Sequence, residues 1–379
     1  LSTMALTYIS AGAVMTDTFL VFGTTLSLVS MWFVLSGRSD YWRWWFFVGL
    51  AIGLLSKGPL AVVLTVTPLV LWAAIFRQQL QPLKKLPWLL GSLLTLAIAV
   101  PWYVLAELKT PGFLNYFIIG EHFSRFLDPG WAGDLYGSAH DRPKGMIWIF
   151  WLWASFPWGI IGLVGFGLAA ARGKTKDIFT GAVQDASTLY LLFCAITPML
   201  FFTLAGNTLW TYILPSLPFS AILIAGWVSK LDLGAWSRVR SGAVLLVPVL
   251  ITLVVFISVS GVIPLKTEKQ LISRYESIHQ AGDSPIFYIG EMPFSARFYS
   301  LGDAVEIIST EFNSLLEADG YARVFAVIPN HAVDEVLGPR ATDAQKLGEN
   351  ERYQLFSIDL PPTDSQNDPV DSELNSKND

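Results

Sequence analysis

Long apolar runs separated by short polar gaps fill the first two thirds of the chain. The runs are 18–36, 43–56, 59–76, 87–106, 146–170, 187–204, 210–228 and 241–263. As helix at about 1.5 Å per residue, most are long enough to cross a hydrocarbon layer of about 30 Å. The run 43–56 is the short one, at roughly 21 Å. This pattern predicts an α-helical polytopic membrane protein with about eight transmembrane helices. After Pro264 the pattern changes: short β-like runs (PIFYIG, VEIIS, RVFAVI, RYQLFSI) alternate with helix-like stretches at 292–300, 310–319 and 331–338. Such alternation predicts a small α/β domain. The expected organisation is a membrane domain over 1–264, an α/β domain over 265–360, and a polar, acidic, aromatic-free tail over 361–379 predicted to be disordered.

Composition agrees with the pattern. Hydrophobic residues make up 53% of the 379 and charged residues 15%, whereas soluble domains carry about a quarter charged residues. Mean hydropathy is +0.49. The formal net charge of −5 averages an acidic C-terminal third with basic gaps on one side of the membrane domain, and it argues against a nucleic-acid partner. Cys194 is the single cysteine and lies in an apolar run, which excludes a disulfide framework and a metal–thiolate site.

The gaps alternate in chemistry. Arg38 and Arg43 fall in one, Arg77, Lys84 and Lys85 in a second, Arg172, Lys174 and Lys176 in a third, and Lys230, Arg238 and Arg240 in a fourth. The positive-inside rule places these four in the cytoplasm. The start around Asp17, the SKGP break, the loop 107–145, the GNTLW turn and everything after 264 are then extracytoplasmic.

Against this pattern a few charges stand out. Lys57 in LLSKGPL sits where Gly58 and Pro59 break the helix. A cation there either lines a recessed polar cavity or snorkels from a hairpin tip. Asp17 in AVMTDTFL marks the outer end of the first full span, either as a site acid or, with Thr16, as an N-cap. In GEHFSRF, read as a helix, His122 and Arg125 share a face. They suit phosphate recognition, or His122 serves as a metal ligand beside Asp17 or Glu121, or the segment is a surface helix with ordinary ion pairs. Tyr212 in TLWTYILPSLP stands at an outer span entrance, where tyrosines also serve as interfacial anchors.

Taken in order, MTD, GLAIGLLSKGPLAVVL, PWYVLAE, FLNYFIIGEHFSRFL, FPWGIIGL and TYILPSLP, over residues 15 to 225, resemble the polytopic glycosyltransferases of the C-type fold. That superfamily includes protein mannosyltransferases and the aminoarabinose transferase of lipid A. The resemblance implies an inverting membrane glycosyltransferase. Such an enzyme moves a sugar from a polyprenyl-phosphate donor to a lipid A-like, glycan or protein acceptor outside a bacterial inner membrane, with the C-terminal domain extracytoplasmic. It implies that Lys57, Arg125 and Tyr212 bind the donor phosphate. Asp17, His122 and Glu121 would position the donor or a divalent ion such as zinc, magnesium or manganese. The catalytic carboxylate is expected upstream of Leu1, so the chain is expected to be N-terminally incomplete. Many relatives also carry a lysine before the Tyr-Ile-Leu-Pro string, where this chain reads GNTLW. The competing class is a transporter or flippase for a lipid-linked sugar, since broken helices with charges are a transporter signature. No internal repeat supports it, and the charges collect on one membrane face.

Overall fold

A computed structural model describes residues 1–38, 40–131, 133, 140, 142–173, 180–181, 183–229, 236–260, 267–317 and 320–360, apart from the side chains of 236–241. The expected tail 361–379 and the basic residues Lys174, Lys176 and Lys230 lie outside the described residues. The chain divides into two compact units, Leu1–Leu253 and Val254–Asp379. The division falls inside the last apolar helix.

The first unit is a helical membrane domain. Its helices are α1 (Ala5–Ala11), α2 (Thr16–Leu35), α3 (Trp42–Lys57), α4 (Pro59–Ile75), α5 (Trp88–Lys109), α6 (Arg125–Leu127), α7 (Met146–Ala154), α8 (Trp158–Ala171), α9 (Ala186–Thr203) and α10 (Leu217–Val228). The helix α11 (Trp236–Val259) runs across the division. Among the described residues five stretches can each cross a membrane by length and composition: Thr16–Leu35, Trp88–Lys109, Ala186–Thr203, Trp210–Val228 and Gly242–Val259. Counting two bent pairs as spans raises this to seven. The run 146–170, expected as one crossing, is broken: α7 and α8 meet at 106° across Ser155–Pro157. The sequence reading also missed α1. That short helix packs against the break, where Ala5 N–H donates to Phe156 O at 2.9 Å and Trp158 Nε1 to Thr3 Oγ1 at 2.8 Å.

Small residues set the packing of α2 on α3. A methyl group added at Gly23 would lie 2.6 Å from Gly49 O, and one at Gly49 would lie 2.6 Å from Gly23 O. With no hydrophobic driving force between helices in lipid, such close backbone approach maximises dispersion and polar contact. Ser27 Oγ, in the same seam, donates to Phe46 O at 2.9 Å. On the other flank of α3, Thr95 Oγ1 bonds Phe47 O at 2.9 Å and Tyr103 OH bonds Leu54 O at 2.6 Å. These bonds hold α5 along α3, so the end of α3 at Lys57 is fixed from two sides. By contrast, α5 and α11 leave most of their surface unburied, as lipid-facing helices do.

The second unit is a mixed α/β sandwich. Five strands, β1 (Ile286–Ile289), β2 (Val305–Ile307), β3 (Arg323–Pro329), β4 (Ala344–Glu349) and β5 (Tyr353–Asp359), lie in the order β2-β1-β3-β5-β4. The first three are parallel, whereas β3–β5 and β4–β5 are antiparallel. Its helices are α12 (Lys269–Ile278), α13 (Phe294–Tyr299), α14 (Ser309–Glu317) and α15 (Val333–Leu337). All four strands expected from apolar runs are present. The missed elements are α12 and β4, whose AQKLGE sequence is the polar edge of the sheet. The central strand β3 is buried along Val324–Ile328 and contributes to cores on both faces of the sheet.

Candidate functional site

The outer-end segments picked out in the sequence meet in space. The helix α3 ends at Lys57, Gly58 takes φ +53°, and Pro59 starts α4. Glycine is required at position 58 on two counts. An L side chain avoids that φ, and an added Cβ would lie 2.8 Å from Phe117 Cε1 and 3.1 Å from His122 Cε1. His122 therefore lies directly on the break.

Lys57 Nζ sits 3.3 Å from Asp17 Oδ2, with side-chain exposures of 28% and 11%. It also lies 5.7 Å from the centre of the Tyr212 ring, within cation–π range. Asp17 stands in the first turn of α2, where an acid favours the helix dipole, but the N-cap is Met15 and no side chain caps that end. The capping reading of Thr16 or Asp17 is thus replaced by an ion pair across helices. Snorkelling alone also fails for Lys57, because its ammonium turns to a carboxylate and an aromatic ring of the protein.

Residues Asn115–Ser124 form a π-helix, which continues into α6. Its wider turn changes the expected geometry. His122 and Arg125 do not act as an i,i+3 pair; Arg125 Nη1 instead donates to Glu121 Oε2 at 2.8 Å, and Tyr116 OH donates to Glu121 Oε1. His122 places Nδ1 2.6 Å from Phe117 O and Nε2 2.8 Å from Lys57 O. Carbonyl oxygens only accept, so the ring nitrogen that carries the proton donates to the carbonyl it faces.

This occupancy bears on the metal expectation for these residues. A metal-bound imidazole presents a lone pair to the ion, whereas each nitrogen of His122 here faces a backbone carbonyl oxygen. Asp17 is committed to Lys57, and Glu121 to Arg125 and Tyr116. Among the described residues no group of three or more His, Cys, Asp or Glu side chains comes together. The expected set of Asp17, His122 and Glu121 does not fit a zinc, magnesium or manganese site.

Asn207 is a residue that sequence reading passed over. It is buried at 3% exposure. Its amide donates to Arg125 O at 3.0 Å and Asp128 O at 2.9 Å, while its Oδ1 accepts from His140 N at 2.6 Å. Gly206 N–H bonds Phe126 O at 2.7 Å and Thr208 N–H bonds His140 O at 3.2 Å. The GNTLW turn thereby ties the end of the Glu-His-Phe-Ser-Arg segment to the loop at 140 and to the entrance of Tyr212. The signal was a buried-type polar residue between two spans, but a lone Asn in a turn is ordinary turn chemistry.

The described fold compares closely with one solved structure type. ArnT from Cupriavidus metallidurans bound to undecaprenyl phosphate superposes with a TM-score of 0.71 at 15% identity, covering 94% of this chain and 76% of that one. Its apo form gives 0.67. The chain has the C-type glycosyltransferase fold. Residues 1–117 match the family model for dolichyl-phosphate-mannose-protein mannosyltransferase. Among curated proteins, the chain is 31% identical over 216 residues to the undecaprenyl phosphate-alpha-4-amino-4-deoxy-L-arabinose arabinosyl transferase 2 of Pseudomonas fluorescens, covering 55% of this chain and 33% of that one. It is 30% identical over 236 residues to the corresponding Pseudomonas aeruginosa transferase, covering 59% and 38%. The chain thus spans about a third of the length of the curated relatives it matches.

Proposed function

We propose that the chain is part of a membrane glycosyltransferase that takes a sugar from a polyprenyl-phosphate donor and delivers it to a lipid A-like glycolipid, glycan or protein acceptor. The observation that carries this reading is the ion pair of Lys57 with Asp17, set against Tyr212 and hung from His122, at the end of the helices opposite the basic gaps. At the basic end, Arg43 Nη1 donates to Lys85 O at 2.9 Å, which brings two of the basic gaps together. By charge bias the site end faces outward from a bacterial inner membrane, with the C-terminal domain on the same side.

In the reaction, the bond between the anomeric carbon and the phosphate oxygen breaks, and negative charge grows on the phosphate. A partly buried ammonium fixed beside the bilayer suits that charge, because preorganised cations in a low-dielectric site need no reorganisation. Lys57 and Arg125 are assigned to it, with Tyr212 as a hydrogen-bond donor. Asp17 aims Lys57. His122 locks the break by bonding Lys57 O, so it positions Lys57 through the backbone. Asp17 and Glu121 are each bound to a cation, which leaves neither placed to accept the acceptor's proton. The acceptor's proton is therefore assigned to a group other than these two carboxylates. An inverting outcome follows from a single displacement.

The test is retention of radiolabelled undecaprenyl phosphate by the chain in nanodiscs, followed by assay with a labelled lipid-linked sugar. Removing Lys57 leaves the Asp17 carboxylate unpaired, which costs about 1–3 kcal/mol, so the test variant is the double change Lys57→Met with Asp17→Asn. It is expected to fold and to lose binding at least about tenfold. Wild-type binding by that variant overturns the phosphate assignment. Translocation of the lipid-linked sugar without transfer would make the protein a flippase.

A further inference from the structure

In the α/β unit, the short helix α13 is turned inside out. Ala296 and the following Ser300 are buried, and Tyr299 packs on the core. The outer face, at positions i, i+3 and i+4, carries Phe294, Arg297 and Phe298. The two phenylalanines are 74% and 72% exposed. Burying a phenylalanine is among the largest apolar gains open to a small domain. A helix that puts alanine and serine inside and both phenylalanines outside forgoes that gain.

The end of α13 adds a second, independent departure. Gly302 N–H bonds Arg297 O at 3.0 Å and Leu301 N–H bonds Phe298 O at 3.3 Å, which is a Schellman termination. The residue just past the cap of such a motif takes the left-handed conformation and is usually glycine. Here it is Leu301, at φ +55°, the one non-glycine residue with positive φ among the described residues. Its side chain is 91% exposed, so no contact within the protein offsets the steric cost of that conformation. Folding gives no reason for leucine at this point, and local strain without a structural return points to function.

Chain length, charge and size select the partner. The apolar helix α11 ends at Val259 and α12 begins at Lys269, and ten residues reach at most about 35 Å. The α/β unit is thus confined beside the bilayer. The guanidinium of Arg297 makes no ion pair or hydrogen bond with another described residue, and Lys269 Nζ lies 6.0 Å from the centre of the Tyr299 ring. Cations beside exposed aromatic rings suit a headgroup boundary. Asp303 offsets one of the two cations, so apolar burial rather than charge supplies the contact. Three apolar side chains are far short of the roughly 20–30 residues a side that a stable protein interface uses. We propose that the α/β unit rests on the bilayer through this face, with Phe294, Phe298 and Leu301 entering the acyl boundary and Arg297 at the lipid phosphates. The contact is independent of the transferase reading.

Cys194 is buried, so a cysteine introduced at the surface takes a nitroxide label by itself. The whole chain would be labelled through Leu301→Cys or, on the opposite edge strand β4, through Gln345→Cys. Both proteins would be placed in nanodiscs of phosphatidylethanolamine and phosphatidylglycerol, and collisions of the label with oxygen and with a water-soluble nickel chelate compared. Oxygen is expected to dominate at 301 and nickel at 345. Phe294→Ser with Phe298→Ser should weaken partitioning at least about tenfold and give the 301 label the behaviour of the 345 label. Both rings are exposed, so this variant is expected to keep its circular dichroism spectrum. A 301 label that meets nickel as freely as the 345 label overturns the proposal. So does one shielded from both reagents, the mark of a covering protein segment or a second copy, and so does one that stays in lipid in the double serine variant.

Discussion

Between the helices of the membrane unit, several uncharged polar side chains bond backbone carbonyls: Ser27 to Phe46, Thr95 to Phe47, Tyr190 to Leu28 and Trp72 to Ala186. In the α/β unit the deepest polar anchor is the carboxylate of Glu268, held by Arg352, Asn350 and Tyr288. The contrast follows from solvent. A helix in lipid already satisfies its own backbone, and a neutral hydroxyl or indole adds a bond at low desolvation cost. A buried carboxylate is tolerated where an adjacent guanidinium is partly hydrated, as Arg352 is at 40% exposure. Charge in the membrane unit therefore has to be looked for at the ends of helices. The Asp17–Lys57 pair sits there, with too little exposure for an ordinary surface pair.

Substitutions can break this contrast, the largest effect coming from the glycine seam. Gly49→Val forces a side chain into Gly23 O and Ser27, which only helix separation relieves. It is expected to cost about 3 kcal/mol or more, read as loss of monodisperse protein and a lowered thermal transition. Unchanged melting would show that α2 and α3 are not held by close backbone contact. Glu268→Ala comes next, at about 2–3 kcal/mol, because Asn350 and the β4–β5 turn lose their anchor while Arg352 can rehydrate. Denaturant unfolding followed by intrinsic fluorescence measures it, and a change under about 0.5 kcal/mol would class Glu268 with neutral surface positions.

Asn207→Ala should cost about 2 kcal/mol by stranding two carbonyls and one N–H. Amide exchange at residues 125–128 and 140 should rise with it. Retained protection there would show the turn to be held by Gly206 and Thr208 alone. The smallest effect belongs to Asp185, the N-cap of α9, whose carboxyl is lowered to about 2 by the hydroxyls of Thr188 and Ser187. A depressed folded-state value stabilises above the ordinary carboxylate range, and that contribution disappears as pH falls from about 4 towards 2. Asp185→Asn should remove the pH dependence over that interval, seen as parallel melting curves; persistence would assign it to another carboxylate.

Much of this architecture is legible in the chain because lipid imposes length and polarity on every span, and β-like runs survive in the α/β unit. Asp17, Lys57, His122 and Tyr212 could be marked as exceptions to that pattern. Their partners could not. The pairing of Arg125 with Glu121 depends on a π-helix that no local spacing announces, and the break at Ser155–Pro157 lies inside a continuous apolar run. The role of Asn207 exists only because loops distant in sequence meet around it. Edge strand β4 was missed because a solvent-facing strand is polar and has no apolar face to betray it.

The order of spans, the gathering of basic residues in alternate gaps and the presence of a charged exception at Lys57 are properties of the sequence itself, since each follows from the cost of placing single residues in lipid or water. Which carboxylate answers Lys57, where the His122 nitrogens point and which residues hold Glu268 were decided by the tertiary structure. Those are relations between segments far apart in the chain, and the energy of an ion pair or hydrogen bond depends on distances that only packing sets.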